Sequence, residues 1–261
     1  MQDYPAEAQV LRDRVILITG PGSGLGRAVA LGCAAQGATV ILLGRTIRKL
    51  ERLYDDIEQA GYPQPAIYPM NLEGATPKDY ADLAIRLGEA FGRLDGLLHN
   101  AAMLEALTPM AHYHPELWYR IMQVNLNAPF LLTQSLLELL NKAQDTSVVF
   151  TTDRVAQEGR AYWGAYAASK GGIETLMRVL ANELEANTMI RVNAIDPGPT
   201  QTSLRTRAYP AANPDTWATP ESLLKYYLYL LGPDSQGLTG QIIRAQDKPG
   251  RVQWSASSTP P

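Results

Sequence analysis

The chain has 261 residues, 46% hydrophobic and 19% charged, a balance that fits one globular domain and excludes disordered and fibrous classes. Its 23 Lys and Arg against 26 Asp and Glu leave a net charge of −3, which lacks the basic footprint of a nucleic-acid binder. No apolar run approaches the roughly 18 residues a membrane span needs, the opening residues carry Asp3, Glu7, Arg12 and Asp13 rather than a signal-peptide core, and the single Cys33 cannot pair within the chain. A cytoplasmic protein with a buried, inert Cys33 is therefore expected.

The pattern begins after an N-terminal extension, residues 1–13. Val15-Ile16-Leu17-Ile18 reads as a parallel strand buried on both faces. It runs into Thr19-Gly20-Pro21-Gly22-Ser23-Gly24-Leu25-Gly26 and then a helix-forming stretch. Glycines there allow a tight turn and a close backbone approach to a pyrophosphate, which the helix N-terminus attracts. Residues 38–43 form a second strand, and Thr46 is placed to cap a charged helix to about residue 60. A third strand is expected at 65–70, a helix over 76–91 and a fourth strand at 94–98. One long helical pattern covers 115–143, followed by a fifth strand at 147–151, a helix at 163–186 and a sixth strand at 190–195. Alternating strands and helices predict an α/β fold, a doubly wound parallel sheet whose ligands bind beyond the C-terminal strand ends. Residues 210–220 read as loop, within a lid at about 199–220, and residues 251–261 form a polar tail.

Two stretches carry chemistry. At the end of the second strand a carboxylate would hold the ribose hydroxyls of NAD; Gly44-Arg45 stands there instead, and an arginine favours the 2′-phosphate of NADP. In Tyr166-Ala167-Ala168-Ser169-Lys170, the tyrosine and lysine share a helix face, so the ammonium can bias the phenol toward acid/base work. The lid carries Arg205, Arg207, Tyr209 and Trp217, which either point to an anionic or aromatic substrate group or are solvated lid residues.

With these stretches in place, residues 14–250 resemble the short-chain dehydrogenase/reductase family. Trp163 to Lys170 and Leu42 to Arg45 are most similar to its YciK-like bacterial oxidoreductases. The resemblance implies that Gly20, Ser23, Gly24, Leu25 and Gly26 hold the cofactor, with Arg45, Asn71, Leu72, Asn100 and Ala101 along it. Pro197, Gly198, Thr200 and Thr202 would meet its nicotinamide and phosphate side. It also makes Asn125 the residue that positions a relay water, Tyr166 the proton donor and Lys170 its partner, the last also on the nicotinamide ribose. Family members pair two helices across a two-fold axis, and the apolar stretches 117–140 and 172–184 predict a homodimer or homotetramer here.

Three positions depart from the family pattern. His99 replaces an asparagine and reads as structural. Asn71 replaces an aspartate and still offers a carbonyl to an adenine amino group. Thirteen residues before the tyrosine, where the family has a catalytic serine, stands Asp153. A serine hydroxyl can donate to a substrate carbonyl; an ionised aspartate only accepts, and it opposes tyrosinate. Thr151 and Thr152 supply adjacent hydroxyls, and either is open as a substitute.

The expected function is transfer of hydride between NADP(H), preferred over NAD(H), and a small carbonyl or alcohol substrate, with no metal. The alternative is a dinucleotide-binding sensor or assembly protein whose catalysis Asp153 has impaired. A methyltransferase on a similar fold leaves Tyr166 and Lys170 unexplained.

Overall fold

The computed structural model describes residues 9–247. Seven parallel strands form one sheet in the order β3-β2-β1-β4-β5-β6-β7. They are β1 (Val15–Thr19), β2 (Thr39–Gly44), β3 (Ala66–Pro69), β4 (Gly96–His99), β5 (Thr146–Thr151), β6 (Ile190–Asp196) and β7 (Ile242–Arg244). The central strands are aliphatic on both faces because helices cover both. Ile16, Ile18, Val40, Leu42 and Val149 meet one layer, while Leu17, Ile41, Leu97, Val148 and Val192 meet the other.

Helices α1 (Gly24–Ala35), α2 (Ile47–Gln59) and α9 (Leu224–Leu231) cover the first face. Helices α3 (Pro77–Phe91), α5 (Ala128–Asn141) and α7 (Gly164–Glu185) cover the second. Shorter helices α4 (Pro115–Met122), α6 (Val155–Glu158) and α8 (Ser203–Ala208) lie near the C-terminal ends of the strands. Chain direction across the sheet reverses between β1 and β4, and such a switch point opens a crevice between the loops that leave the two strands. Among the described residues no helix is long and apolar enough to cross a membrane.

The structure departs from the sequence expectations in four places. The helical pattern over 115–143 is three pieces, because a π-helical turn at Gln123–Asn127 separates α4 from α5. Pro129 lies four residues after Asn125 and has no N–H, so the regular α-helical bond to the Asn125 carbonyl cannot form. Thr46 occupies the N-cap position of α2 but makes no side-chain capping bond. The extension is not wholly separate: Leu11 is fully buried in the first core, and its N–H donates to the Gln36 carbonyl at 3.0 Å. Finally, α9 and β7 were not anticipated. The predicted tail 251–261 lies outside the described residues. Cys33 is fully buried, and burial raises its thiol pKa to about 12.

Candidate active site

A cleft of about 550 Å³ runs along the C-terminal ends of β1, β2, β4, β5 and β6. At its nucleotide end the glycine loop turns through left-handed backbone at Gly20 (φ +67°) and Gly24 (φ +53°). A Cβ at Gly20 would stand 2.9 Å from the Ala101 Cα, and one at Gly26 would collide with the Gly20 carbonyl and the Asn100 amide. Thr19 fastens this loop to the neighbouring strand end: its hydroxyl accepts from the N–H groups of Asn100 and Ala101, each at 3.0 Å. Asn100 returns its amide toward the carbonyls of Thr19 and Gly20 at 3.3 Å. Ser23 caps α1 in extended conformation without spending its hydroxyl on the helix, which leaves that end of the dipole to an anion.

Arg45, exposed at the end of β2, lines the cleft together with Thr46 and Lys49. Lys49 was missed in the sequence. Its stem lies against the glycine loop, where a Cβ on Gly22 would come within 3.1 Å of the Lys49 Cβ. Its spacing from Arg45 was the available signal. Asn71 and Leu72 line the adjoining wall, and the Asn71 carbonyl oxygen Oδ1 accepts from the Glu73 N–H at 3.3 Å. A cradle shaped for bare backbone, with two cations beside it, fits a phosphorylated dinucleotide.

At the other end, α7 presents Tyr166 and Lys170, both buried, one turn apart. The Lys170 ammonium donates to the Thr151 carbonyl at 2.6 Å and lies 5.5 Å from the centre of the Tyr166 ring. Asn125, in the π-helical turn, exchanges bonds with the Met103 backbone, accepting its N–H at 2.7 Å and donating to its carbonyl at 3.0 Å. Its amide also donates to Ser169 Oγ at 3.1 Å, which ties α7 to the loop after β4. A void of about 10 Å³, close to the smallest that holds a water, is lined by His99, Asn125, Thr151 and Lys170.

The position of the missing serine is now defined. Asp153 Oδ1 accepts from the Val155 N–H at 3.0 Å and so starts α6, while Oδ2 receives the Tyr166 hydroxyl at 3.4 Å. Neither threonine stands in for it. Thr152 lines the cleft, but its hydroxyl donates to the buried Glu174 at 3.0 Å, on the α7 side of the sheet. Thr151 occupies the alternate strand position and faces the opposite side, toward Tyr227 of α9.

Burial, then the Asp153 charge and hydrogen bond, push the Tyr166 hydroxyl well above the usual tyrosine range, with Asp196 adding and Arg205 opposing. Burial also pulls Lys170 down to about 8, against the opposite effect of Asp153 and Asp196. Asp196, which the sequence reading overlooked, is buried at the end of β6. Burial raises its pKa and Asp153 adds to this, while the Gly198 N–H that it accepts at 2.9 Å lowers it. His99 is held neutral, its pKa lowered to about 3 by burial and next by Lys170. It stacks on Phe150 with ring centres 4.6 Å apart and shares a 2.8 Å hydrogen bond with Thr133, the position of a structural histidine.

The lid is closed on itself at its base. Gln201 and Ala218 bond across it (2.9 Å), as do Ala218 and Pro199 (3.1 Å), so the excursion between them is a loop with fixed ends. Thr202 caps α8 by accepting the Arg205 N–H at 3.2 Å, and Thr200 turns its hydroxyl to the Gly198 carbonyl at 3.0 Å. Pro197, Gly198, Thr200 and Thr202 all line the cleft.

Comparison with known proteins decides what this arrangement belongs to. The short chain dehydrogenase family model matches residues 14–213. The chain belongs to the short chain dehydrogenase family. It is 44% identical to the oxidoreductase YciK of Escherichia coli (strain K12) over 248 residues, which span 95% of this chain and 97% of that one. A short chain dehydrogenase from Pseudomonas syringae superposes with a TM-score of 0.92 at 49% identity, covering 94% of this chain and 99% of its own. A third relative, the short chain dehydrogenase from Escherichia coli CFT073 complexed with NADPH, gives a TM-score of 0.89 at 44% identity, with 92% and 100% coverage.

This short chain dehydrogenase is thus an oxidoreductase of a nicotinamide-dependent family. It brings Tyr166 and Lys170 to one end of the cleft, with Asn125 on the small void that Lys170 also lines, and places the glycine loop at the other. It differs at the third polar group beside the tyrosine hydroxyl, which is a carboxylate.

Proposed function

We propose that the protein is an NADP(H)-preferring reductase of a small carbonyl compound. The observation that carries this reading is the Tyr166 hydroxyl, buried one helical turn from the buried Lys170 side chain, in a cleft that Arg45 and Lys49 also line. When bound, NADPH supplies a hydride to the carbonyl carbon. Tyr166 holds the proton for the carbonyl oxygen and gives it up as charge develops there. Lys170 and the small void beside Asn125 stand on the side from which that proton is replaced. Glycines, Ser23 and the α1 N-terminus bind the phosphates, and the two cations bind the 2′-phosphate.

Cofactor affinities test this assignment directly. NADPH is expected to bind more tightly than NADH; Arg45→Ala narrows the gap about tenfold, the scale of a solvent-screened charged hydrogen bond, and adding Lys49→Ala narrows it further. Equal wild-type affinities by titration contradict the assignment.

The competing reading, a dinucleotide-binding sensor without turnover, draws on the Asp153–Tyr166 contact, since a carboxylate that accepts the tyrosine proton competes with the substrate for it. Retention of Lys170 and Asn125 in their positions favours the enzyme.

The same reading includes assembly. Tyr119, Phe130 and Val179 are 69%, 44% and 46% exposed on α4, α5 and α7, a spread of large apolar side chains that a partner would cover. Light scattering at micromolar concentration is expected to give a dimer or tetramer, and a monomer refutes it.

A further inference from the structure

Arg120, Arg205 and Arg207 also line the cleft, and their surroundings differ. Arg120 is paired with Glu73 at 2.8 Å. Arg207 faces Glu105 at 3.8 Å and donates to the Leu104 carbonyl at 2.8 Å. Arg205 has no ion pair with any carboxylate among the described residues, and its Nε is buried without a hydrogen-bond partner. It is nevertheless held in place. Its guanidinium carbon lies 4.2 Å from the centre of the Tyr209 ring and 5.6 Å from that of Trp217. Stacking of this kind supports the face of the guanidinium and leaves its edge N–H groups for a planar anion.

The position relative to the chemistry is equally specific. Arg205 is close enough to Tyr166 for its charge to act on the phenol. Leu104, Trp163 and Tyr166 form a buried apolar wall nearby, with Leu204 and Tyr209 packed against it. Trp163 lies between the two tyrosines, its ring centre 5.5 Å from Tyr166 and 5.9 Å from Tyr209. Arg205, which has no ion-pair partner among the described residues, therefore lines one end of the cleft with Leu104, Leu204 and Tyr166, and the Trp163 and Tyr209 rings belong to the cluster that packs Leu104, Leu204 and Tyr166.

We propose that Arg205 is the docking point for a carboxylate of the substrate, which makes that substrate an oxo acid with an apolar body. A single charge is indicated because Asp153 and Glu105 line the same cleft and Asp196 acts with Asp153 on Tyr166, which opposes a phosphate dianion. A carboxylate matches the guanidinium edge bidentately, fixing the distance between the anion and the carbonyl that faces Tyr166. The inference rests on the carbonyl-reductase reading and names its substrate class.

The test is a binding titration that needs no hydride transfer. Protein loaded with NADP⁺ is titrated calorimetrically with 2-oxo-2-phenylacetate and with its neutral isostere 2-oxo-2-phenylacetamide. The acid is expected to bind at least ~10-fold more tightly than the amide, the scale of a charged hydrogen-bonded pair. Arg205→Met removes this preference, Arg205→Lys keeps part of it and Arg207→Met keeps it whole. NADP⁺ affinity of Arg205→Met is expected to match wild type, which also shows that the variant is folded. Equal wild-type binding of acid and amide overturns the proposal, as does a preference that survives Arg205→Met. A tenfold loss of NADP⁺ affinity in Arg205→Met also overturns it, because the guanidinium would then serve the cofactor. Preferential binding of the acid without NADPH consumption on either ketone contradicts the reductase reading and leaves the anion site standing.

Discussion

Asp153→Ser is expected to raise the turnover of carbonyl reduction by ~10-fold or more, the scale of one well-placed donor to a developing oxyanion. The wild-type carboxylate does two things against the reaction. Its Oδ2 receives the Tyr166 hydroxyl at 3.4 Å, competing for the proton that the substrate needs, and its charge raises the pKa of that hydroxyl. Serine supplies a donor instead and removes the charge. Its hydroxyl can also accept from the Val155 N–H, replacing the Asx-type bond that Asp153 makes just ahead of α6, so the turn is preserved. Asp153→Asn recovers part of the gain, since an amide donates but is bulkier and less well aimed. No neighbouring hydroxyl already fills this role, because Thr152 is committed to Glu174 and Thr151 faces α9. A wild type as fast as Asp153→Ser on an oxo acid would show that the carboxylate does not hold the site back.

The same substitution has a pH signature. Lys170 is pulled down to about 8 by burial and is held up by Asp153 and Asp196. Its ammonium is present below that pH and lost above it, so the rate of reduction is expected to fall as pH rises past about 8. Removing the Asp153 charge removes one support of the ammonium, and the fall then begins at lower pH. A pH profile of Asp153→Ser displaced upward would contradict this electrostatic account.

Tyr166→Phe is expected to cost 10²–10⁴-fold in turnover, the range for loss of a positioned general acid, while NADPH affinity stays near wild type. The ring of Tyr166 packs against Trp163 within a buried cluster with Leu104 and Val155, and phenylalanine retains that packing. The loss therefore reports on the hydroxyl rather than on the fold. A drop in cofactor affinity of the same size would place Tyr166 in binding instead.

Much of this architecture was legible in the sequence because its signals are local. Val15 to Gly26 carries an aliphatic strand, a turn that only bare backbone can make and a helix start, all within a dozen positions of one another. Tyr166 and Lys170 share a face for reasons of helical pitch alone. What escaped depends on chain segments remote from one another. The break at Gln123–Asn127 hides in an unbroken apolar periodicity, and Pro129, four residues past Asn125, was its one signal. Helix α9 buries Tyr226, Tyr227, Leu228, Leu230 and Leu231 around most of its circumference, and β7 has only three residues, so neither shows a clean period. Lys49 against the glycine loop, Asp196 beside Asp153 and the Arg205 stack on Tyr209 and Trp217 arise only when loops from different strands meet. His99 shows the converse: one histidine in an apolar strand end was readable as structural, and burial beside Lys170 keeps it neutral.

The central claim is that this cleft turns NADPH over through the Tyr166 hydroxyl. Its most direct test is consumption of NADPH by wild type and Tyr166→Phe against a panel of carbonyl compounds that includes oxo acids, beside a cofactor titration of both proteins. The account predicts turnover in the wild type, its near-complete loss in Tyr166→Phe and equal NADPH affinity in the two. Tight NADPH binding with no consumption by the wild type on any carbonyl, or consumption that Tyr166→Phe leaves unchanged, would contradict it.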